Sequence, residues 1–169
     1  MRHRETLLVG AQPMSIRSAH FEDVPDMLRL IERSIARGCR DHYDEGQRRL
    51  IYLAYASSLF IEARGPFEAR VVETSGLMVG AAQFEPASGL LRALFVDPEL
   101  QGQGVGTALL AAVEMRARES RCNRLFGAMS LNAVPFYRRA GFRVRGKPEP
   151  VPGLASVPVQ WMEKPVRSL

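Results

Sequence analysis

Cysteine is nearly absent: Cys39 and Cys122 are the two in 169 residues. They stand far apart and outside any Cys-x-x-Cys or Cys/His ligand spacing, which excludes a disulfide framework and a zinc site and leaves two buried thiols. Long apolar runs are missing as well, since none approaches the ~20 residues needed to span a bilayer. The basic start Met1-Arg2-His3-Arg4 is followed only by Thr6 to Ala11, too short for a signal-peptide core. These absences predict a cytoplasmic protein without a membrane partner. Internal repeats and low-complexity tracts are lacking too. What is there is ordinary globular composition, 46% apolar, 24% charged and 8% aromatic, which excludes extended disorder, collagen-like and coiled-coil structure. A chain of 169 residues buries a sizeable core as one domain, whereas two domains would each be marginal.

The net charge of +5 is unevenly spread: residues 1–84 carry 11 basic and 11 acidic groups, residues 85–169 carry 12 basic and 7 acidic ones. The C-terminal half therefore favours an anionic partner. Nucleic acid is one such partner, but the arginines are scattered and show no zinc-finger, RRM or basic-helix signature, so no nucleic-acid partner is expected. A phosphorylated cofactor is the other candidate.

Residues 1–13 show no sustained period, end at Pro13 and read as an N-terminal tail. The domain is expected over 14–168, opening with a strand at Met14–Ala19, and Met14 is a candidate for the physiological start. Asp23-Val24-Pro25-Asp26 begins an amphipathic helix with Val24, Met27, Leu28, Ile31 and Ile35 at helical spacing, ending near Gly38. A second helix runs from about Asp44 to Ser57. After a break at Gly65-Pro66, Ala69–Glu73 and Leu77–Phe84 flank a Ser75-Gly76 turn as a hairpin, and a third strand covers Leu90–Val96. From Thr107 the period is helical again, then a strand follows from about Asn123 to Ala128. This strand–helix–strand crossover makes 90–96 and 123–128 parallel neighbours. A short helix near Pro135–Arg139 stops at Gly141, and strands near Phe142–Arg145 and Val157–Met162 close an α+β domain.

Between strand and helix, Val96-Asp97-Pro98-Glu99-Leu100-Gln101-Gly102-Gln103-Gly104-Val105-Gly106-Thr107 carries three glycines, where backbone N–H groups and the helix dipole create an anion site. A P-loop would need a lysine followed by Ser or Thr, and a dinucleotide fingerprint a Gly or Ala where Thr107 stands. A tight turn with close helix packing would explain the glycines equally well. The context distinguishes the readings. Gln-x-x-Gly-x-Gly at Gln101, Gly104 and Gly106, preceded by Leu94-Phe95-Val96-Asp97-Pro98 and followed by Pro135-Phe136-Tyr137-Arg138-Arg139-Ala140-Gly141-Phe142, resembles the GNAT (Gcn5-related N-acetyltransferase) superfamily over roughly residues 14 to 165.

The resemblance implies a mixed sheet of about seven strands, antiparallel except for a central parallel pair, flanked by about four helices. It implies acetyl-CoA as acyl donor, with no metal, and an amine-bearing small molecule or peptide as acceptor, in a monomer or homodimer. The backbone of Leu94, Phe95 and Val96 would bond the pantetheine arm and polarise the acetyl carbonyl. Gln101 and the amides of Gly102, Gln103, Gly104, Val105, Gly106 and Thr107 would hold the pyrophosphate. Arg138, Arg139, Arg143 and Lys147 could meet the 3'-phosphate side or be solvated surface charge. Relatives carry an asparagine seven residues before the tyrosine; here Ser130 takes that place and Asn132 supplies the amide, so both are candidates.

Direct transfer to an amine needs a neutral nucleophile, donors for the developing oxyanion and an acid for the departing thiolate. The resemblance makes Tyr137 the acid, a phenol of pKa ~10 matched to a thiolate of comparable basicity. The base is the gap, because neither 90–96 nor 123–128 carries a carboxylate. Glu85, at the end of the preceding strand, is the leading candidate, with His42, Tyr43 and Asp44 as others. The expected function is acetyl-CoA-dependent N-acetylation of a primary amine by direct transfer. The alternative is an acyl-CoA-sensing or partner-binding module without turnover, which the missing base keeps open.

Overall fold

The computed structural model describes residues 5–9, 12–61, 67–151, 154 and 156–166. The Gly65-Pro66 break and residues 1–4, 10–11 and 167–168 of the expected tail and domain lie outside them. In chain order the elements are β1 (Glu5–Val9), β2 (Gln12–Ser18), α1 (Val24–Gly38), α2 (Glu45–Ile61), β3 (Glu68–Thr74), β4 (Leu77–Glu85), β5 (Leu90–Val96), α3 (Val105–Glu119), β6 (Arg124–Ser130), α4 (Val134–Arg139), β7 (Arg143–Pro150) and β8 (Pro158–Pro165). The strands form one sheet in the order β1-β2-β3-β4-β5-β6-β8-β7. It has one strand more than the seven expected: β1, in the segment read as tail, pairs antiparallel with β2 from Glu5↔Ile16 to Val9↔Gln12.

The helices take the faces that the apolar spacing assigns them. In α1, Val24, Met27, Ile31 and Ile35 are buried as expected, Leu30 is fully buried while Leu28 of the expected stripe is half-buried, and Pro25 stands in the first turn, where proline costs no helical hydrogen bond. The start of α2 is held reciprocally: the Gln47 N–H donates to Asp44 Oδ1 (2.8 Å) and the Asp44 N–H to Gln47 Oε1 (3.1 Å). α1 and α2 cover one sheet face in a cluster with Val71 and Ala81. α3 and α4 cover the other through Val105, Leu109, Val113 and Tyr137 against Val72 and Phe84. With both faces covered, β4 is buried without interruption from Met78 to Phe84, which explains its unbroken apolar reading.

The expected parallel pair is β5 and β6, and it is short. Its register consists of Leu90↔Phe126, with the Phe126 N–H donating to the Gly89 carbonyl at 3.0 Å. Beyond this point β5 stays on β4 as far as Val96↔Gly80, while β6 follows β8 as far as Ser130↔Val159. The strands therefore diverge toward their C-terminal ends. At the vertex they nearly touch, and a Cβ on Gly127 would lie 2.3 Å from the Leu91 carbonyl oxygen, so only glycine fits there.

Candidate functional site

Divergence of β5 from β6 leaves backbone groups of β5 without a strand partner. The Asp97 N–H donates to the Val79 carbonyl (2.8 Å), which makes 79/97 a hydrogen-bonded pair of the antiparallel ladder. By alternation, Phe95 bonds β4 while Leu94 and Val96 turn their N–H and C=O groups toward the side that β6 has vacated. One of these groups is taken: the buried Ser34 hydroxyl of α1 donates to the Val96 carbonyl at 3.1 Å.

The chain then passes through a 3-10 turn at Pro98–Leu100 and the exposed segment 101–104 into α3. Gly104 is the N-cap at φ +92°, a left-handed conformation that disfavours any side chain. Among the described residues no side chain caps α3. Its first helical bond runs from the Ala108 N–H to the Gly104 carbonyl (2.9 Å), so the N–H groups of Val105, Gly106 and Thr107 lack helical partners and point outward at the positive end of the dipole.

Wedge and helix start open into one cleft of about 530 Å³. Of the residues expected to bind cofactor, the cleft brings together Leu94, Phe95, Val96, Gln101, Gly102, Gly104, Gly106, Thr107, Ser130 and Asn132, together with the expected acid Tyr137. Two expected residues do not line it with their side chains. Val105 is buried in the core, and the Gln103 side chain folds back to donate to the Glu99 carbonyl at 3.1 Å. Arg139 lines the cleft, whereas Arg138, Arg143 and Lys147 are exposed and absent from its lining.

Tyr137 is buried, with its ring edge-on to Phe136 (5.0 Å) and Phe142 (5.2 Å). Burial, with a smaller contribution from Tyr55, raises its pKa well above that of a free phenol, so the hydroxyl stays protonated throughout the neutral range but is a weaker acid than the expected match to the thiolate assumed. Among the described residues that hydroxyl has no hydrogen-bond partner.

The structure does not bring the expected base to the cleft. Glu85 is the last residue of β4, paired with Leu90 at the end of β5 remote from Val96, and its carboxylate accepts from the Ser88 hydroxyl of the turn. Asp44 is engaged as the cap of α2. Tyr43 is a buried strut whose hydroxyl accepts from the Leu131 N–H and donates to the Pro158 carbonyl, both at 2.8 Å. His42 is exposed and outside the lining. No carboxylate or imidazole lines the cleft among the described residues. They also include no cluster of three or more metal-ligating side chains, and no helix among them is long and apolar enough to cross a membrane.

Sequence reasoning missed Ser34 and Cys39, both in the lining. Ser34 carried a signal, as a polar residue on the apolar stripe of α1. Cys39 read only as a buried thiol; its Sγ donates to Asn132 Oδ1 at 3.4 Å, and burial pushes its pKa up to about 11, which keeps it an unreactive thiol.

Residues 56–163 match the Acetyltransferase (GNAT) domain family. Over 145 residues the chain is 28% identical to an amino-acid acetyltransferase of Pseudomonas putida (strain GB-1), a match that covers 83% of this chain and 30% of that protein. The chain thus spans less than a third of that relative's length. In fold it is similar to a GCN5-related N-acetyltransferase from Rhodopseudomonas palustris, with a TM-score of 0.80 at 22% identity over 94% of this chain and 98% of that one. It is also similar to the PaiA N-acetyltransferase from Thermoplasma acidophilum, solved in complex with coenzyme A, with a TM-score of 0.71 at 17% identity over 90% and 98% of the two chains.

Proposed function

This chain belongs to the GNAT acetyltransferase family, and from that membership we propose that it moves an acetyl group from acetyl-CoA directly to a primary amine of a small molecule or peptide. One observation carries the reading: the strand divergence and the uncapped start of α3 open into a single cleft with Tyr137 in its wall. Three N–H groups at a helix N-terminus suit a pyrophosphate, and Arg139 adds a cation to the same cleft. The donor supplies an activated thioester carbonyl. Leu94 and Val96 offer backbone groups to the arm that leads to it and to its oxygen. As the C–N bond forms and the C–S bond breaks, the Tyr137 hydroxyl gives its proton to the sulfur, and the proton shed by the nitrogen leaves through water and restores the phenol.

With no carboxylate or imidazole in the lining, the acceptor enters as the free amine. That same feature favours, as a second reading, a module that binds acyl-CoA without turnover. Incubating the protein with acetyl-CoA and a panel of amines, amino acids included, while following free thiol separates the two. Amine-dependent thiol release supports transfer, and cofactor binding without it supports the second reading.

A further inference from the structure

The divergence of β5 from β6 opens the sheet from one face to the other, and a tyrosine reaches the opening from each. Tyr137 of α4 belongs to the core on one face. Tyr55 of α2 packs on the other, with its ring edge-on to Phe95 of β5 (centroids 4.9 Å apart, interplanar angle 87°). Both tyrosines line a second cavity, of about 30 Å³, in the fork between the two strands. Ser130, the last residue of β6, lines it too. Phe95, Ser130 and Tyr137 also line the large cleft, so the two spaces meet where transfer would take place.

Among the described residues, none of the hydroxyls of Tyr55, Ser130 and Tyr137 has a hydrogen-bond partner. The small cavity has room for about one or two waters, and a buried water is held by roughly two to four polar groups. Three hydroxyls meet that need, whereas an apolar guest would leave them unpaired. The titratable groups that act on Tyr55 are the Cys39 thiol, the Tyr43 and Tyr137 hydroxyls and Arg92. Arg92 is the extra residue of a β5 bulge, where Phe84 pairs with Leu91 and Gln83 with Ala93, and its guanidinium lies over the Phe67 ring. Cys39 and Tyr137 line the small cavity, so the Tyr55 hydroxyl is turned toward it. Burial outweighs the pull of the Arg92 charge and pushes the Tyr55 phenol up to about 12. It therefore stays a neutral hydroxyl, able both to donate to a water and to accept from it. The raised pKa of Tyr137 makes its phenolate, once formed, a strong base that recovers a proton readily.

We propose that Tyr55, with Ser130, holds a water in the fork against Tyr137, and that this water carries the proton of the acceptor to Tyr137 during transfer. This rests on the transfer reading above and assigns to named residues the path that the reading leaves to solvent. The protons balance without a carboxylate. As the C–N bond forms and the C–S bond breaks, the Tyr137 hydroxyl protonates the sulfur, the nitrogen gives its surplus proton to the water, and the water gives one of its own to the Tyr137 oxygen. Water and phenol end as they began, and the net movement is one proton from nitrogen to sulfur. Tyr55 acts through the water and is a positioning residue.

The test is Tyr55→Phe, which keeps the ring against Phe95 and removes only the hydroxyl, so the urea midpoint should not move. With the amine that wild type acetylates fastest, the single-turnover rate should fall about tenfold, less than the loss of an acid or base itself, while acceptor KM and coenzyme A affinity by calorimetry stay within about twofold. At fixed pH and ionic strength, the rate of the variant should then rise with the concentration of imidazole buffer, because a base from solution replaces the held water. The wild-type rate should not respond. A packing role alone would slow the variant without that response. A rate loss under about twofold, a loss that imidazole does not restore, or a wild type that responds as strongly as the variant would overturn the assignment and leave the transfer reading standing. Wild type that releases no thiol with any amine would end both.

Discussion

Tyr137 is the buried residue of α4 and the acid proposed for the cleft, and packing and proposed chemistry separate by substitution. Tyr137→Phe keeps both edge-on ring contacts and removes only the hydroxyl, which has no partner to orphan among the described residues. Turnover should fall roughly 100-fold or more with coenzyme A affinity nearly unchanged, as single-turnover kinetics beside calorimetry would register. Ser34 makes the opposite case, since its hydroxyl is spent on the Val96 carbonyl. Ser34→Ala leaves a buried acceptor unpaired and should cost about 1–3 kcal/mol in urea unfolding. For the base, kcat/KM should rise with pH toward the acceptor's own pKa, and the inflection should follow the acceptor in wild type, Glu85→Gln and His42→Gln alike. A fixed inflection that vanishes in one variant would identify a base after all. Among these residues, the place of Tyr137 in the cleft wall agrees with its motif. Glu85 could not be placed from sequence, because position along a strand does not reveal which end of it diverges from its neighbour.

At the scale of elements, α1 is fastened to the segment that leads into the glycine turn. Arg33 bonds Asp97 at 2.8 Å, Arg37 pairs with Glu99, and Ser34 lies between them. Burial alone would raise the Asp97 pKa, but the Arg33 hydrogen bond, the Glu99 N–H and the charges of Arg33 and Arg37 outweigh it and hold the carboxyl below its ordinary range. A lowered folded-state pKa means stabilisation that is present above the unfolded pKa and lost as pH falls through the folded one. Asp97→Asn keeps the shape and removes the charge. It should cost about 1 kcal/mol in urea unfolding at pH 7, and the gap to wild type should close as the pH drops below the ordinary carboxylate range. The helices and the hairpin were legible because their apolar periods and turn residues are local. The bulge at Arg92 and the one-pair seam at Leu90↔Phe126 were not, since both arise from how neighbouring strands pair.

For the molecule as a whole, sequence reading recovered the α+β sheet with its central parallel pair and four helices, and the family match agrees with the motif spacing that suggested it. The exception was β1: residues 5–9 lack a period of their own and are ordered by pairing with β2. The surplus of positive charge in the C-terminal half lies in the portion that supplies the glycine turn, α4 and Arg139. Binding of an anionic cofactor there should weaken as ionic strength rises. The central claim is that the cleft between β5, α3 and α4 holds acetyl-CoA, and its most direct test is a calorimetric titration of coenzyme A into wild type and Gly104→Glu. The substitution puts a side chain on a residue at φ +92° and an anion where the phosphates would lie. Saturable binding by wild type and none by the folded variant is the predicted result; equal affinity in both would contradict it.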